Sequence, residues 1–138
     1  MSLKFIKLFL RVTIAVGFLS AVADRFGLWH QNSAWGNWDN FVLYTQQLLP
    51  FLVPKLVTIT SIVATTFETI FGITLLLGWK TKLFAQLSGF LLLFFGIAMW
   101  FSFGIKKPLD FSVFTAAGAS FALSTIKVKF LELDSIFK

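Results

Sequence analysis

The sequence predicts an all-α integral membrane protein, a four-helix bundle formed by a single domain of residues 1–138. Of the 138 residues, 57% are hydrophobic and 13% are charged, against about 45–50% and about 25% in soluble domains. The 19 phenylalanines add more apolar surface than a core of this size can bury. Four apolar runs each approach the roughly 20 residues that a bilayer span requires. The lipid bilayer is therefore the expected surrounding of the chain.

The first apolar run covers about residues 5–27, and we interpret it as the first transmembrane span. Lys4 and Lys7 lie at its start, and Ala21-Val22-Ala23 fits the small residues of a signal-peptide cleavage site. A cleaved signal peptide is therefore the alternative interpretation of this run.

Three further runs predict spans over about residues 55–79, 83–104 and 109–127. Pro54 precedes the second span and suits the first turn of a helix. Only short polar breaks separate the last three spans, so adjacent helices must run antiparallel.

The segment between the first two spans predicts a short helix that lies along the membrane surface. Asn37 or Asp39 would cap it and Pro50 would end it, and one face is partly apolar. An ordinary loop packed on the bundle is the alternative.

Lysine and arginine predict the orientation, because cytoplasmic loops of membrane proteins carry an excess of both. With the N-terminus inside, the cytoplasmic side holds Lys4, Lys7, Lys80, Lys82, Lys127, Lys129 and Lys138. The other side then holds Arg25, Lys55, Lys106 and Lys107. Both termini are expected in the cytoplasm. The basic residues lie at the ends of apolar runs and not in a stripe along a polar face, so a nucleic-acid partner is not expected.

Polar residues inside the apolar runs fall on helical faces. Ser61, Thr65, Glu68 and Gly72 share one face of the second span, and Gln86 belongs to a similar stripe in the third. Small residues in such stripes let membrane helices approach closely. Helix packing is the simplest explanation of both stripes.

Two charges lie inside the spans, Arg11 in the first and Glu68 in the second. Counting helical rise from the expected cytoplasmic ends places them at depths that their side chains can bridge. We therefore predict an Arg11–Glu68 ion pair, with Thr65 and Gln86 in the same polar pocket. The pair is either a structural contact between helices or a functional group, as the polar floor of a cavity or as a proton acceptor. A protonated, neutral Glu68 is the alternative.

A second charged cluster is predicted at the other side of the membrane, formed by Asp24, Arg25, His30, Lys106 and Asp110. Asp110 follows Pro108 at the start of the fourth predicted span, where an acid is favoured by the helix dipole. His30 beside a tryptophan is typical of an interfacial hydrogen-bonding residue.

The composition excludes several kinds of chemistry. Cysteine is absent and His30 is the one histidine, so cysteine-ligated metal, bis-histidine haem and multi-histidine metal sites are not expected. The sequence has no phosphate-binding glycine loop and no nucleophile motif. We predict no catalytic centre, no metal site and no intrinsic cofactor, so a redox centre would have to come from a partner or a diffusible ligand.

Two segments resemble the DoxX family of small bacterial membrane proteins with four spans. These are ETIFGITLLLGWKTK at 68–82, in which Glu68 precedes GxxLLLGxxTK, and IKKPLDFSVFTAAGASFAL at 105–123. With the early arginine and the aromatic loop after the first span, the resemblance covers nearly the whole chain. It implies a bacterial cytoplasmic membrane and a role beside a quinone-linked or other redox protein.

We therefore expect an accessory or ligand-binding membrane subunit that works with a redox partner. Its ligand would be a quinone or a bound lipid, and a homo-oligomer is an additional expectation. The alternatives are a small-solute or proton-coupled transporter and a structural or assembly subunit of a larger membrane complex.

Overall fold

The helices follow the apolar runs closely. In the computed structural model, residues 1–137 are described, and they form six α-helices and two short 3-10 helices without any strand. The α-helices are α1 (Leu3–Arg25), α2 (Trp38–Leu48), α3 (Pro54–Leu77), α4 (Thr81–Phe103), α5 (Lys106–Asp110) and α6 (Val113–Thr125). The 3-10 helices cover His30–Asn32 and Leu133–Ser135. The all-α prediction is confirmed for these residues.

Three helices, α1, α3 and α4, are long and apolar enough to cross a membrane, with 23, 24 and 23 residues. Their bounds agree with the first three predicted spans to within two residues at each end. Large apolar side chains such as Phe9, Phe67 and Phe101 are exposed along them. Exposed apolar surface on this scale fits a surrounding of lipid.

The fourth predicted span is not one helix. The backbone at Ser112 has a φ of 53° in the left-handed region, and this turn separates α5 from α6. The 13 residues of α6 reach about 20 Å, less than the roughly 30 Å of a bilayer's hydrocarbon core. Hydropathy misses the division because the apolar run continues through the turn.

Local signals explain where the helices begin and end. The side chain of Asn37 accepts the backbone N–H of Asn40 at 2.9 Å and caps α2, as the sequence predicts. Pro54 is the first residue of α3. Gly78 ends α3 with a φ of 71°, and Trp79 N–H donates to the Thr74 carbonyl at 2.9 Å.

Close contacts at glycines hold the long helices together. α1 packs mainly on α3, where Gly72 lies against the Leu19 side chain and the Ala15 carbonyl. α4 packs mainly on α6, where Gly89 and Gly96 lie against phenylalanine rings. These small residues let the antiparallel helices approach closely.

The contact at Gly72 also fixes how far α1 is shifted along α3. A Cβ added to Gly72 would lie 2.8 Å from the Leu19 side chain. One turn after Gly72 along α3, the Leu76 carbonyl lies 3.5 Å from Arg11 Nη2. Arg11 is therefore level with the last turn of α3. This shift decides which charges can meet.

Replacing Gly72 by valine should separate α1 from α3. The added side chain would collide with Leu19 and the Ala15 carbonyl, and overpacking of this kind costs about 1–3 kcal/mol. Thermal unfolding in mild detergent measures the loss. Gly17→Val is the matched control, because nothing lies within 4 Å of a Cβ added to Gly17. Equal stability of the two variants would contradict the proposed contact.

The C-terminal segment after α6, residues 126–137, crosses the end of the bundle where α1 begins, α3 ends and α4 begins. We call this segment the tail and this end of the bundle the tail end. Lys7 Nζ donates to the Val128 carbonyl at 2.7 Å, and Arg11 Nη1 donates to the Phe130 carbonyl at 3.1 Å. The Phe5 and Phe130 rings meet edge to face at 5.6 Å.

Candidate functional site

The two charges that the sequence places inside the spans do not pair with each other. Glu68 forms its ion pair with Arg25, and Arg11 Nη1 forms one with Glu132 Oε1 at 3.3 Å. The predicted Arg11–Glu68 pair is therefore wrong. The prediction assumed that the start of α1 and the end of α3 lie at the same level. The shift fixed at Gly72 instead brings the end of α1 beside the middle of α3.

Arg25 is the centre of a buried polar group. Its guanidinium pairs with the Glu68 carboxylate, and Nη1 donates to Thr65 Oγ1 at 2.7 Å. Arg25 Cζ lies 3.8 Å from the centroid of the Phe41 ring and 5.5 Å from that of Trp35. The aromatic rings add a cation–π contribution that strengthens when the cation is desolvated. Thr65 and Glu68 are thus brought together as predicted, but around Arg25.

The Arg25–Glu68 ion pair is almost fully buried and lies far from both ends of α3. Arg25 is 3% exposed and Glu68 is 4% exposed. At the rise of an α-helix, Glu68 lies about 21 Å from Pro54 and about 14 Å from Leu77. Arg25 Nε has no hydrogen-bond partner among residues 1–137. A buried guanidinium N–H without an acceptor is costly, and it can be satisfied by a ligand oxygen.

Asp24, next to Arg25 in sequence, holds the loop that covers it. The Asp24 carboxylate accepts the backbone N–H groups of Ala34, Trp35 and Gly36 at 2.7, 2.8 and 3.0 Å. This fixes Trp35 near the guanidinium. The two adjacent charges therefore have different roles, one in the loop and one in the bundle.

The rest of the second predicted cluster does not assemble. His30 is exposed in its 3-10 helix, away from the Arg25 group. Lys106 and Asp110 form an exposed ion pair within α5 at 2.5 Å. Asp110 is the last residue of α5 and not the cap of a fourth long helix, because the turn at Ser112 intervenes.

Gln86 also lies outside the site. It is exposed on α4 among apolar residues such as Leu83, Leu87 and Phe90. The glycines of its predicted stripe face α6 instead. The spacing that groups Gln86 with Gly89 and Gly96 is too loose to place all three on one contact surface.

A cavity of about 660 Å³, which we call the large cavity, lies beside Arg25 and Glu68. Its remaining walls come from α1, the Trp35 loop, α2 and the facing sides of α3 to α6. Most of the side chains there are apolar: Ala21, Ala34, Phe41, Leu43, Leu48, Leu49, Ala64, Leu92, Phe94, Phe95, Met99, Phe111 and Val113. Polar groups come from Asn40, Tyr44, Thr45, Gln47, Thr60 and Lys107.

Exposed side chains of both kinds line the large cavity, and the polar ones are Asn40, Gln47 and Lys107. Leu43, Phe94 and Phe111 line it and are 61%, 53% and 62% exposed. Phe94 lies about 20 Å from Thr81 and about 14 Å from Phe103 along α4. Phe94 is thus near the middle of a helix long enough to cross a membrane, and the Arg25–Glu68 pair lies at the cavity wall.

A second charged group holds the tail and was not predicted from the sequence. Glu132 Oε1 forms ion pairs with Lys7 Nζ at 2.8 Å and with Arg11 Nη1 at 3.3 Å. All three side chains are buried. These partners are more than 120 residues apart, so no local pattern joins them. The one available signal was the presence of two carboxylates, Glu132 and Asp134, beside the lysines of an amphiphilic tail.

Asp134 fastens the tail to the first turn of α4. Its carboxylate accepts the backbone N–H groups of Lys80 at 2.7 Å and Thr81 at 2.8 Å, and its own N–H donates to the Gly78 carbonyl at 3.0 Å. Burial tends to raise the pKa of Asp134, but the N–H groups of Thr81 and Lys80, with the nearby Lys129 ammonium, lower it below the usual 3.8. Anions at a helix N-terminus are favoured.

Acid should therefore loosen the tail. Because the pKa of Asp134 is lowered on folding, its contribution is fully present above pH about 4 and is lost as the pH falls through the lowered value. Hydrogen exchange of the tail measured from pH 7 down to pH 3 should show this loss. Asp134→Asn should reduce the difference between neutral and acid conditions, while the ion pairs of Glu132 remain in both proteins. The same acid dependence in the variant would exclude Asp134 as its source.

No group of three or more His, Asp or Glu side chains within residues 1–137 is arranged to hold a metal ion. The chain matches no protein-family model, no curated protein and no solved structure.

Proposed function

We propose that this protein binds a lipid-soluble ligand, a quinone or a lipid-like molecule, in the large cavity, as an accessory subunit of a membrane redox partner. The observation that carries the proposal is that Arg25, whose buried Nε has no hydrogen-bond partner within residues 1–137, lines a mostly apolar cavity. The headgroup oxygen of the ligand would accept this N–H. Glu68 offers an acceptor beside it for a ligand hydroxyl.

Size and lining support an amphiphile. Ligand cavities are commonly about 300–1,000 Å³ and mostly apolar with a few polar groups, and the large cavity has about 660 Å³. The Arg25–Glu68 pair is neutral as a whole. A neutral headgroup such as a carbonyl therefore costs less to bury there than an added charge.

The exposed apolar lining supports entry from the bilayer. Leu43, Phe94 and Phe111 offer apolar contact to a chain that leaves the cavity sideways. Phe94 lies near mid-depth of α4, where lipid and not water surrounds a membrane helix. A long apolar tail can then remain in the bilayer while the headgroup reaches Arg25.

We further propose that α5 and α6 together make the fourth crossing, beside α1, α3 and α4. The chain would then be a DoxX-like protein of a bacterial cytoplasmic membrane, with α2 at the opposite interface from the tail. Both termini would lie in the cytoplasm, because Lys4, Lys7, Lys80, Lys82, Lys127 and Lys129 gather at the tail end. Because the chain has one histidine and no cysteine, the redox centre is assigned to the partner.

The test is ligand binding by the full chain in mild detergent. A short-chain benzoquinone should quench tryptophan fluorescence saturably, since Trp35 lines the cavity. Ala64→Leu, which fills the cavity, should weaken binding about tenfold, or about 1.4 kcal/mol. Ala122→Leu on the exposed side of α6 should bind as the wild type does.

Two results would contradict ligand binding: the absence of saturable quenching together with no co-purifying amphiphile, or equal weakening by both leucine variants. The mass of the protein purified from its native membrane tests the accessory role. Recovery of this chain alone, without a redox protein, would argue against a partner.

A second function, proton-coupled transport, is favoured by the position of Glu68 between the large cavity and Arg25. Ionisable groups buried at membrane depth often carry protons. In liposomes, Glu68→Gln should then abolish proton-coupled flux of a small solute, whereas equal flux would exclude this function.

A further inference from the structure

A second cavity lies at the tail end of the bundle and shares no lining residue with the large cavity. This small cavity has a volume of about 200 Å³. Four lysine side chains line it, together with two hydroxyls: Lys7, Lys82, Lys127, Lys129, Thr81 and Ser124. Basic side chains and hydroxyls around one small space are the groups that bind phosphate oxygens.

The two acids of the small cavity already have partners within the chain. Glu132 is held by Lys7 and Arg11. The Asp134 carboxylate accepts two backbone N–H groups at the start of α4, and Lys129 Nζ donates to the Asp134 carbonyl at 2.6 Å. A positive surplus therefore remains in the cavity.

Lys82 and Lys127 supply this surplus. Neither forms an ion pair with any carboxylate in the part of the chain that the structure describes. Both side chains line the small cavity and are exposed, so an anion can reach them from outside. Lysine is a common phosphate ligand that acts as a point charge.

Thr81 adds a buried group without a partner. The residue is 2% exposed, and its Oγ1 makes no hydrogen bond within residues 1–137. It lies beside the Asp134 carboxylate, but without the geometry of a hydrogen bond to it. A buried hydroxyl left in this state is unfavourable. An oxygen atom bound in the cavity would satisfy it.

We propose that the small cavity binds a phosphate group with net negative charge, held by Lys82 and Lys127 and by the Thr81 hydroxyl. The group comes either from an anionic phospholipid or from a soluble phosphate. The cavity lies at helix ends, since Thr81 is the first residue of α4 and Ser124 is in the last turn of α6. Helix ends are at the depth of lipid headgroups. This site is independent of the ligand proposed for the large cavity.

The test is binding of phosphatidylglycerol by the full chain in mild detergent, followed by native mass spectrometry. Phosphatidylcholine with the same acyl chains is the zwitterionic reference. The double variant Lys82→Gln/Lys127→Gln should bind phosphatidylglycerol about tenfold more weakly. The matched control is Lys4→Gln/Lys55→Gln, which removes two exposed charges that do not line the cavity. It should bind within about twofold of the wild type.

Thr81→Val keeps the shape of the residue and removes its hydroxyl. It should weaken phosphatidylglycerol binding about fivefold, while both lysine residues remain. Competition with inorganic phosphate separates the two sources. If inorganic phosphate displaces the lipid, the phosphate group alone is recognised. If phosphatidylglycerol stays bound, the lipid headgroup is the ligand.

Three outcomes would overturn the proposal. The first is unchanged binding by the Lys82→Gln/Lys127→Gln variant. The second is an equal loss in both double-lysine variants, which would show diffuse surface charge. The third is equal affinity of the wild type for phosphatidylglycerol and phosphatidylcholine with no binding of inorganic phosphate.

Discussion

Replacing Glu68 by alanine is expected to lower the free energy of unfolding by about 3–5 kcal/mol. The physical reason is that the substitution leaves the Arg25 guanidinium buried without a counter-ion, and a broken buried pair is far more harmful than an absent one. Arg25 is 3% exposed, so its guanidinium has little contact with solvent that could replace the carboxylate. Denaturant-induced unfolding in mild detergent gives the free energy.

The double variant Arg25→Met/Glu68→Leu separates charge from packing. Because both charges are removed, it should lose much less stability than Glu68→Ala does. Asp110→Ala is the control for an exposed pair, since Lys106 and Asp110 meet at the surface. Its cost should be about 1 kcal/mol or less. A loss of this small size for Glu68→Ala as well would mean that water reaches Arg25.

The second large effect is expected at the tail. Glu132→Ala removes the carboxylate that Lys7 and Arg11 share, and all three side chains are buried. Two buried cations are then left unpaired, so the tail should detach from the tail end at a cost of about 3–5 kcal/mol. Detachment should speed tryptic cleavage after Lys127 and Lys129 at least about tenfold.

Asp39→Ala is the matched control, because Asp39 is an exposed carboxylate in the first turn of α2. It should leave tryptic cleavage of the tail unchanged. If the tail of Glu132→Ala is cleaved no faster than that of the control, Glu132 does not hold it. Cleavage rates distinguish this local release from global unfolding, which would expose other lysines too.

The sequence predicts helices better than it predicts contacts between them. The first three spans, the Asn37 cap and the Pro54 start are local features, set by hydropathy and by backbone chemistry within a few residues. The division of the fourth span is also local, but it lies in the backbone angle of Ser112. No apolar pattern reports such an angle.

The candidate site shows the limit of counting residues along a helix. The face of Thr65 and Glu68 was predicted correctly to point inward, because a charge in a span avoids lipid. The partner of Glu68 was predicted incorrectly, because Arg11 and Arg25 lie on about the same face of α1 and differ only in depth. The depth depends on how α1 slides along α3.

The sequence by itself determined that the chain is all-α, where three long apolar helices begin and end, and that Glu68 faces the interior. The tertiary structure alone decided the partners: Arg25 for Glu68, Glu132 for Arg11, and α2 as a wall of the large cavity. Helix formation depends on neighbouring residues, so the sequence reveals it. The register between helices depends on close contacts such as that of Gly72 with Leu19, between residues far apart in the chain.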